Sequence, residues 1–380
     1  MRKINSKVIA LIIVLSVCTS LICVGCGNKA TNKVSVQKTS TSKEIKLKYS
    51  KGFNIKYLED GVKIVTDGEN RKLLLVPRGK KAPKDYKLPV IYTPVKKIVP
   101  FSTIQVSILR ALGELDSVVG VTTKEDKWFI NDIKKGMKDG KIAFVGKSRT
   151  PDYEKIQSIK PEVVILHTGS SSQDKQMAKM DELGIPYFID NDYMEKTPLG
   201  RLEWIKLLGA FYNKDKEAEE YFNKVEVNIK NIENKVKSNK KPKVAYAFIF
   251  KGKVYVPRGG SYYSKIIEKA GGDYILKDLE PNKPGNAKIS VEEFYAKAMN
   301  ADILIYDNTS DISVKSIKDI VNHGDVLSQI KPIKDGKVFG INKCYWQSSD
   351  KIDEIIQDMT SVFYPQQFKD SKHNYYYKLH

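Results

Sequence analysis

The sequence contains few cysteines, and their positions exclude a fold supported by disulfide bonds. Only four of the 380 residues are cysteine, and Cys18, Cys23 and Cys26 all lie in the N-terminal segment. Cys344 is the one cysteine left for the folded part, so no internal disulfide can form there. Stability must therefore come from hydrophobic cores, and a chain of this length can build two lobes.

Histidine and catalytic motifs are equally sparse, which argues against a metal centre and against an enzyme. No pair among His167, His323, His373 and His380 has the spacing of metal ligands. The sequence has no Gly-x-Ser-x-Gly elbow and no Cys–His arrangement beyond the lone Cys344. We therefore expect no catalytic residue, no resident cofactor and no metal bound directly by side chains.

The N-terminus has the pattern of an export signal. Three cations precede an apolar run that ends in "CVGC". This arrangement predicts a lipoprotein signal peptide over residues 1–25, with acylation of Cys26, for example by palmitate. An uncleaved signal anchor is the alternative, and either would hold the protein at the extracytoplasmic face of the cell membrane. Residues 26–44, rich in Lys, Ser, Thr and Asn, predict a flexible tether.

The formal net charge of +20 leaves three explanations open. An anchored protein with this charge would be attracted to an anionic membrane and cell wall. Nucleic-acid binding is a second explanation, but no basic helix with interleaved aromatic residues supports it, so we expect no nucleic-acid partner. An anionic ligand is the third, and charge alone does not choose among them.

Two halves of the chain resemble each other, and each alternates strands with helices. This pattern predicts an α/β fold with two similar Rossmann-like lobes that arose by duplication. A continuous apolar stripe between the halves predicts one long α-helix joining them, so the cleft should be largely preformed. The predicted segments are a small N-terminal β segment, an N-terminal lobe, a helical link, and a C-terminal lobe with its tail (45–92, 93–196, 197–239 and 240–380).

Glycines and hydroxyl residues follow a strand in each half. In "VYVPRGGSYYSKII" the strand is followed by Arg258-Gly259-Gly260-Ser261 and by Tyr262 and Tyr263. The turn lacks the spacing of a phosphate-binding P-loop. A ligand-binding loop at a strand end is one interpretation, and a turn with a helix cap is the other. In the first half the matching residues, with the same two interpretations, are Ser102, Thr103 and Gln105.

Four further residues are candidates for ligand contact, and each has a structural alternative. Tyr345 and Trp346 follow a strand and could form an aromatic wall, or pack against the last helix. Trp128 is a similar candidate. His167 ends a strand, where a hydrogen-bonded structural histidine is the alternative.

Together these segments resemble the substrate-binding lipoproteins of iron-siderophore and cobalamin ABC importers, the class with a rigid helical backbone. The resemblance covers about Ile91 to Phe368 and depends on "ALGELDSVVGVT", "PDYEKIQSIKPEVVI", "PRGGSYYSKIIEKAGG", "ISVEEFYAKAMNADILIY" and the long linking helix. It implies a monomer whose partner is an ABC permease with its ATPase. It also implies one exposed acid per lobe for docking, which would be Glu154 and Glu292, with Glu293 as the alternative to the latter.

The resemblance implies a small-molecule iron chelate as the ligand. A ferric siderophore is the leading candidate, and a cobamide or haem bound by the same fold is the alternative. A surface adhesion or glycan-binding module is an alternative from another class, and an enzyme of the same fold is a third. A permease gene beside this one would favour transport over the other two.

Overall fold

A computed structural model describes residues 43–169, 172–310, 313–369 and 371–380. The signal peptide, Cys26 and most of the tether lie outside these residues. Strands and helices mix throughout the described part, which gives the protein an α/β fold. None of the helices described there is long and apolar enough to span a bilayer.

The N-terminal β segment forms a five-stranded sheet in the order β1-β2-β3-β4-β5. All neighbours are antiparallel except β4 and β5. The segment between β1 and β2 is fixed by the buried carboxylate of Glu203, which accepts hydrogen bonds from the backbone N–H groups of Lys48, Tyr49 and Ser50 at 2.8–3.1 Å. The strands are Lys43–Glu44, Asn54–Tyr57, Lys63–Thr66, Lys72–Pro77 and Val90–Thr93.

The next part of the chain forms a parallel sheet in the order β12-β11-β6. Alternate residues of these strands face two different cores, because successive side chains on a strand point to opposite faces. Short strands β7 to β10 form two separate pairs. The strands β6 to β12 are Ile98–Pro100, Gly120–Val121, Ala143–Phe144, Gly146–Lys147, Thr150–Pro151, Val163–Leu166 and Tyr187–Ile189. The helices α1 to α4 are Thr103–Ala111, Asn131–Lys138, Tyr153–Ile159 and Gln173–Glu182.

The helical link consists of three consecutive helices. Thr197 caps α5 (Pro198–Glu203), and its side chain accepts a hydrogen bond from the Gly200 N–H. Helix α6 (Ile205–Tyr212) ends at Asn213, which has a left-handed conformation. Helix α7 (Asp215–Val236) then runs for 22 residues, or about 33 Å at 1.5 Å per residue.

The last part of the chain forms a seven-stranded sheet in the order β16-β14-β13-β17-β18-β19, with β15 beside β13. The strands β13 to β19 are Lys243–Phe250, Lys253–Pro257, Asp273–Tyr274, Asn286–Ile289, Ile303–Tyr306, Val338–Ile341 and Tyr376–Lys378. The helices α8 to α12 are Tyr262–Lys269, Val291–Ala298, Ile317–Val321, Lys331–Lys334 and Ile352–Phe363.

This sheet differs from the parallel arrangement that the sequence predicts. Only β13, β15, β17 and β18 are mutually parallel, whereas β14 is antiparallel to β13. The cause is a two-residue turn at Lys251 and Gly252, whose positive φ angles of 49° and 68° suit a tight hairpin. The hairpin places Tyr255 opposite Phe248, so the chain returns along β13 before it reaches Arg258.

Candidate functional site

A cavity of about 370 Å³ lies where segments from before and after α7 meet. Its wall includes the loop after β12, helix α5, the first turn of α8 and the loop after β18. Open α/β sheets commonly bind ligands beyond the carboxyl ends of their strands, and β12 and β18 present that end here. The lining residues are Tyr193, Met194, Glu195, Arg201, Ser261, Tyr262, Tyr263, Pro284, Gly285, Asn286 and Trp346.

One side of the cavity is aromatic, and three predicted ligand residues form it. The Tyr263 ring lies 4.6 Å from Tyr246 and 5.9 Å from Trp346, measured between ring centroids. The indole N–H of Trp346 donates to the hydroxyl oxygen of Thr309 at 3.3 Å. Tyr345 is buried behind Trp346, with its ring centroid 5.3 Å away, so it supports the wall. The structure thus brings Tyr262, Tyr263 and Trp346 together, while their contact with a ligand stays a prediction.

Arg201 also lines the cavity, and the sequence analysis does not identify it. Its guanidinium carbon lies 3.9 Å from the centroid of the Tyr262 ring. Its Nη2 donates to the backbone oxygen of Tyr193 at 3.0 Å. The cavity therefore joins a flat apolar wall to one fixed cation, an arrangement suited to an aromatic ligand with a polar group.

Arg258 and Gly259 have structural partners in the same region. The Arg258 guanidinium pairs with the Glu280 carboxylate and donates to the Pro284 carbonyl at 3.2 Å. A Cβ atom at position 259 would lie 1.7 Å from the Lys277 carbonyl oxygen, so only glycine fits against this backbone. The predicted ligand contacts of Arg258 and Gly259 therefore gain no support from the geometry, since both residues hold the segment 277–285.

The corresponding residues of the first half form a helix cap. The Ser102 side chain accepts from the Ile104 N–H at 3.1 Å. Gln105 accepts from the N–H groups of Phe101 and Ser102 at 3.0 and 3.1 Å. Ser102 and Gln105 thus form a capping box, and Thr103 is the first residue of α1. Capping accounts for these contacts, and none of the three lines the cavity.

Trp128 and His167 also lie outside the cavity wall. Trp128 is 3% exposed, and its indole N–H donates to the Thr123 carbonyl at 3.1 Å, so it is a core residue rather than an exposed aromatic wall. Burial lowers the pKa of the His167 imidazole, and its Nδ1 has no hydrogen-bond partner. Within the described ranges, no three His, Cys, Asp or Glu residues are grouped as metal ligands would be.

Three cavity residues that the sequence analysis does not identify follow the end of strand β12. Tyr193, Met194 and Glu195 come soon after β12, in "PYFIDNDYMEK", where a strand passes into a polar segment. The same signal identified the loops at His167 and Arg258. Arg201 has no comparable signal, because in sequence it is one more cation on a linking helix.

The two predicted docking acids occupy equivalent, exposed positions. Glu154 is the second residue of α3, after the capping residue Asp152. Glu292 is the second residue of α9, after the capping residue Ser290. Glu293 is the third residue of its helix, so Glu292 is the structural counterpart of Glu154.

Comparisons with known proteins agree in fold and in family. Residues 98–345 match the family described as periplasmic binding protein. An uncharacterized lipoprotein of Methanocaldococcus jannaschii is 34% identical over 377 residues, which cover 92% of this chain and 89% of that protein. The petrobactin-binding protein YclQ of Bacillus subtilis is 23% identical over 257 residues, covering 67% and 77% respectively. A periplasmic heme-binding protein from Pseudomonas aeruginosa has a similar fold, with a TM-score of 0.57, 18% identity, and coverage of 71% and 93%.

Proposed function

The chain belongs to the periplasmic binding protein family, and we propose that it captures a ferric siderophore complex outside the cell for an ABC permease. Members of this family bind solutes, so the protein is a solute-binding protein and not an enzyme. The proposal concerns the ligand, the permease and the lipid anchor at Cys26.

The observation that carries the proposal is the cavity between segments from before and after α7. Its volume of about 370 Å³ lies within the usual range of small-ligand sites. Tyr262, Tyr263 and Trp346 offer apolar and aromatic surface to the organic shell of a chelate. An iron chelate needs no metal ligands from the protein, because the siderophore already coordinates the iron. The name of the B. subtilis relative is in keeping with this ligand class.

Trp346 provides a direct test of ligand binding. We expect a ferric siderophore to quench tryptophan fluorescence in a titration of the purified protein, with haem and cobalamin as competing candidates. The variant Trp346→Phe should reduce the quenching, since Trp346 lines the cavity and the buried Trp128 and Trp204 do not. Binding of haem or cobalamin with no binding of any ferric siderophore would refute the proposed ligand.

The two docking acids provide a test of delivery. Glu154→Gln with Glu292→Gln should reduce permease-dependent uptake of radiolabelled iron while ligand affinity stays the same. Exposed charges of this kind act on association with a partner rather than on the cavity. Glu293→Gln tests the alternative acid, and a loss of uptake in that variant alone would assign docking to Glu293. Normal uptake by the double variant would refute the docking role of Glu154 and Glu292.

Labelling with a fatty acid tests the proposed lipid anchor at Cys26. Labelled fatty acid should enter the wild-type protein, while Cys26→Ala should remain unlabelled and be released from the membrane. Equal labelling of the two proteins would refute acylation at Cys26.

A further inference from the structure

Arg201 is a cation in the cavity wall that no acid neutralises directly. Over the described residues it forms no ion pair within 4.0 Å, and its one hydrogen bond goes from Nη2 to the Tyr193 carbonyl. Its Nε–H is buried without an acceptor. A buried donor without a partner is uncommon in folded proteins, and on a cation it is costly. Arg201 therefore keeps donor capacity that the described residues do not satisfy.

Two carboxylates lie near Arg201, and neither satisfies it. Burial raises the pKa of Asp192 to about 6, and the positive charge of Arg201 opposes that rise. The two charges thus interact at a distance without forming an ion pair. Glu195 also lines the cavity, and its Oε1 accepts from the Lys51 N–H, the Trp204 indole and the Ser50 hydroxyl, while no ion pair within 4.0 Å joins it to Arg201 among the described residues. The cation remains available to a ligand.

The guanidinium is also held in one orientation. Its carbon lies 3.9 Å from the centroid of the Tyr262 ring, which is itself almost fully buried. Cation–π contact and the hydrogen bond to Tyr193 fix the plane of the donor fork before any ligand arrives. An oxygen anion that enters the cavity meets a preorganised donor, so little ordering of the side chain opposes its binding.

We propose that Arg201 selects an anionic ligand by binding its negatively charged oxygen, while Tyr263 and Trp346 contact the organic body. The inference deepens the proposed function and rests on it, because it assigns the charge class of the solute in that cavity. The net charge of +20 would act in the same direction by attracting an anion from a distance.

The test compares an anionic with a neutral iron complex. The probes are ferric enterobactin, an anionic tris-catecholate, and tris(acetohydroxamato)iron(III), which is neutral. Arg201→Gln should weaken binding of the anionic complex by roughly 10- to 100-fold, the range for loss of one charge-assisted contact. Binding of the neutral complex should change by less than about threefold. Arg201→Lys should recover part of the loss, because a point charge replaces the planar fork.

Arg71 offers a matched control. Its guanidinium carbon lies 3.5 Å from the centroid of the Tyr187 ring, so it too is an arginine stacked on a tyrosine. It does not line the cavity. Arg71→Gln removes the same charge and the same type of contact, and it should leave both affinities unchanged. An equal loss in Arg71→Gln and Arg201→Gln would mean that net charge is responsible, and it would overturn the inference.

The remaining outcomes separate this inference from the proposed function. Equal losses for both complexes in Arg201→Gln would make Arg201 a structural residue and overturn the inference alone. A wild-type protein that prefers the neutral complex would do the same. If hemin binds and neither ferric enterobactin nor the hydroxamate complex does, the proposed function fails. Unchanged hemin binding by Arg201→Gln would then overturn the inference as well. A wild-type protein that binds none of these probes refutes both.

Discussion

The two segments that meet at the cavity, residues 193–201 and residues 258–263, use their arginines in opposite ways. Arg258 forms an ion pair with Glu280, so its charge already has a partner within the protein. Among the residues that the structure describes, Arg201 contacts the Tyr193 carbonyl and the face of Tyr262, and it lines the cavity. The glycine-rich turn beside Arg258 suggests an anion site, yet its glycines serve close packing of backbone. An arginine whose charge already has an internal partner is thus a weaker candidate for ligand contact than one without such a partner.

The largest expected effect concerns the packing role of the glycine turn. In Gly259→Ala the new methyl group would overlap the Lys277 carbonyl, so the segment 277–285 must move. We expect the free energy of unfolding to fall by about 3 kcal/mol or more. Urea denaturation of the purified protein measures the change.

Gly79→Ala is the control for this substitution. Gly79 has a φ of +84° and open space around its Cβ position, so only backbone strain of about 1–2 kcal/mol is expected. If Gly259→Ala were no more destabilising than Gly79→Ala, the turn would not be needed for packing, and a role in ligand binding would regain support.

The second prediction concerns the carboxylate near Arg201. The pKa of Asp192 is raised to about 6 by burial, so the folded state favours its protonated form. That stabilisation is complete below the unfolded pKa near 3.8 and is lost as the pH rises through 6. Asp192→Asn escapes this loss and should be more stable than the wild type at pH 7.5, by on the order of 1–2 kcal/mol.

Denaturation curves at pH 7.5 and pH 4 check the prediction, and the advantage of Asp192→Asn should shrink at pH 4. The exposed Asp85 provides the control substitution Asp85→Asn. An Asp192→Asn variant less stable than the wild type at pH 7.5 would show that Arg201 depends on this carboxylate as a partner. The contrast between the two arginines would then be lost.

The third prediction concerns the strength of the ion pair between Arg258 and Glu280. Their side chains are 27% and 32% exposed, so a double-mutant cycle with Arg258→Gln and Glu280→Gln should give a small favourable coupling energy. Ferric enterobactin should bind Arg258→Gln more tightly than Arg201→Gln. Coupling near zero, together with a binding loss as large as that of Arg201→Gln, would place Arg258 in the site after all.

The smallest expected effect concerns His167. The next residue in the sequence, Thr168, contacts Tyr193 in the cavity wall. Thr168 shares a hydrogen bond of 2.8 Å with the Tyr193 hydroxyl. Burial lowers the pKa of His167, so the stability that depends on its neutral form is present above pH 6.5 and is lost as the pH falls. Between pH 7.5 and pH 5, the free energy of unfolding of His167→Gln should fall less than that of the wild type.

Thermal unfolding at the two pH values measures this difference, and His380→Gln is the control at an exposed histidine. An equal pH dependence in the wild type and His167→Gln would indicate that the imidazole is solvated, so that its burial does not influence the Tyr193 loop.

Much of the fold could be predicted because its signals are local. The Thr197 cap, the break at Asn213 and the apolar stripe of α7 each depend on residues within a few positions of one another. Tyr262, Tyr263 and Trp346 were candidates because aromatic residues after a strand suggest a ligand wall. The direction of β14 was missed, since Lys251-Gly252 is an unobtrusive turn signal within a long apolar run.

The site was only partly predictable, because charge availability depends on partners far away in the sequence. Glu280 lies 22 residues after Arg258, and no local pattern connects the two. Trp128 has the sequence context of an exposed loop, but it is buried and bonded to the Thr123 carbonyl. Ser102 and Gln105 were candidates for ligand contact, and their side chains form a capping box.

The sequence by itself determined the α/β class, the helical link and the family resemblance. Each of these depends on the spacing of apolar residues, on helix caps or on motifs, which involve residues close together in the sequence. Only the tertiary structure decided which polar groups remain available for a ligand. Arg258 and Arg201 differ in no local feature that would reveal this. They differ because folding places a carboxylate on one guanidinium and leaves the other beside Tyr262 at the edge of a cavity.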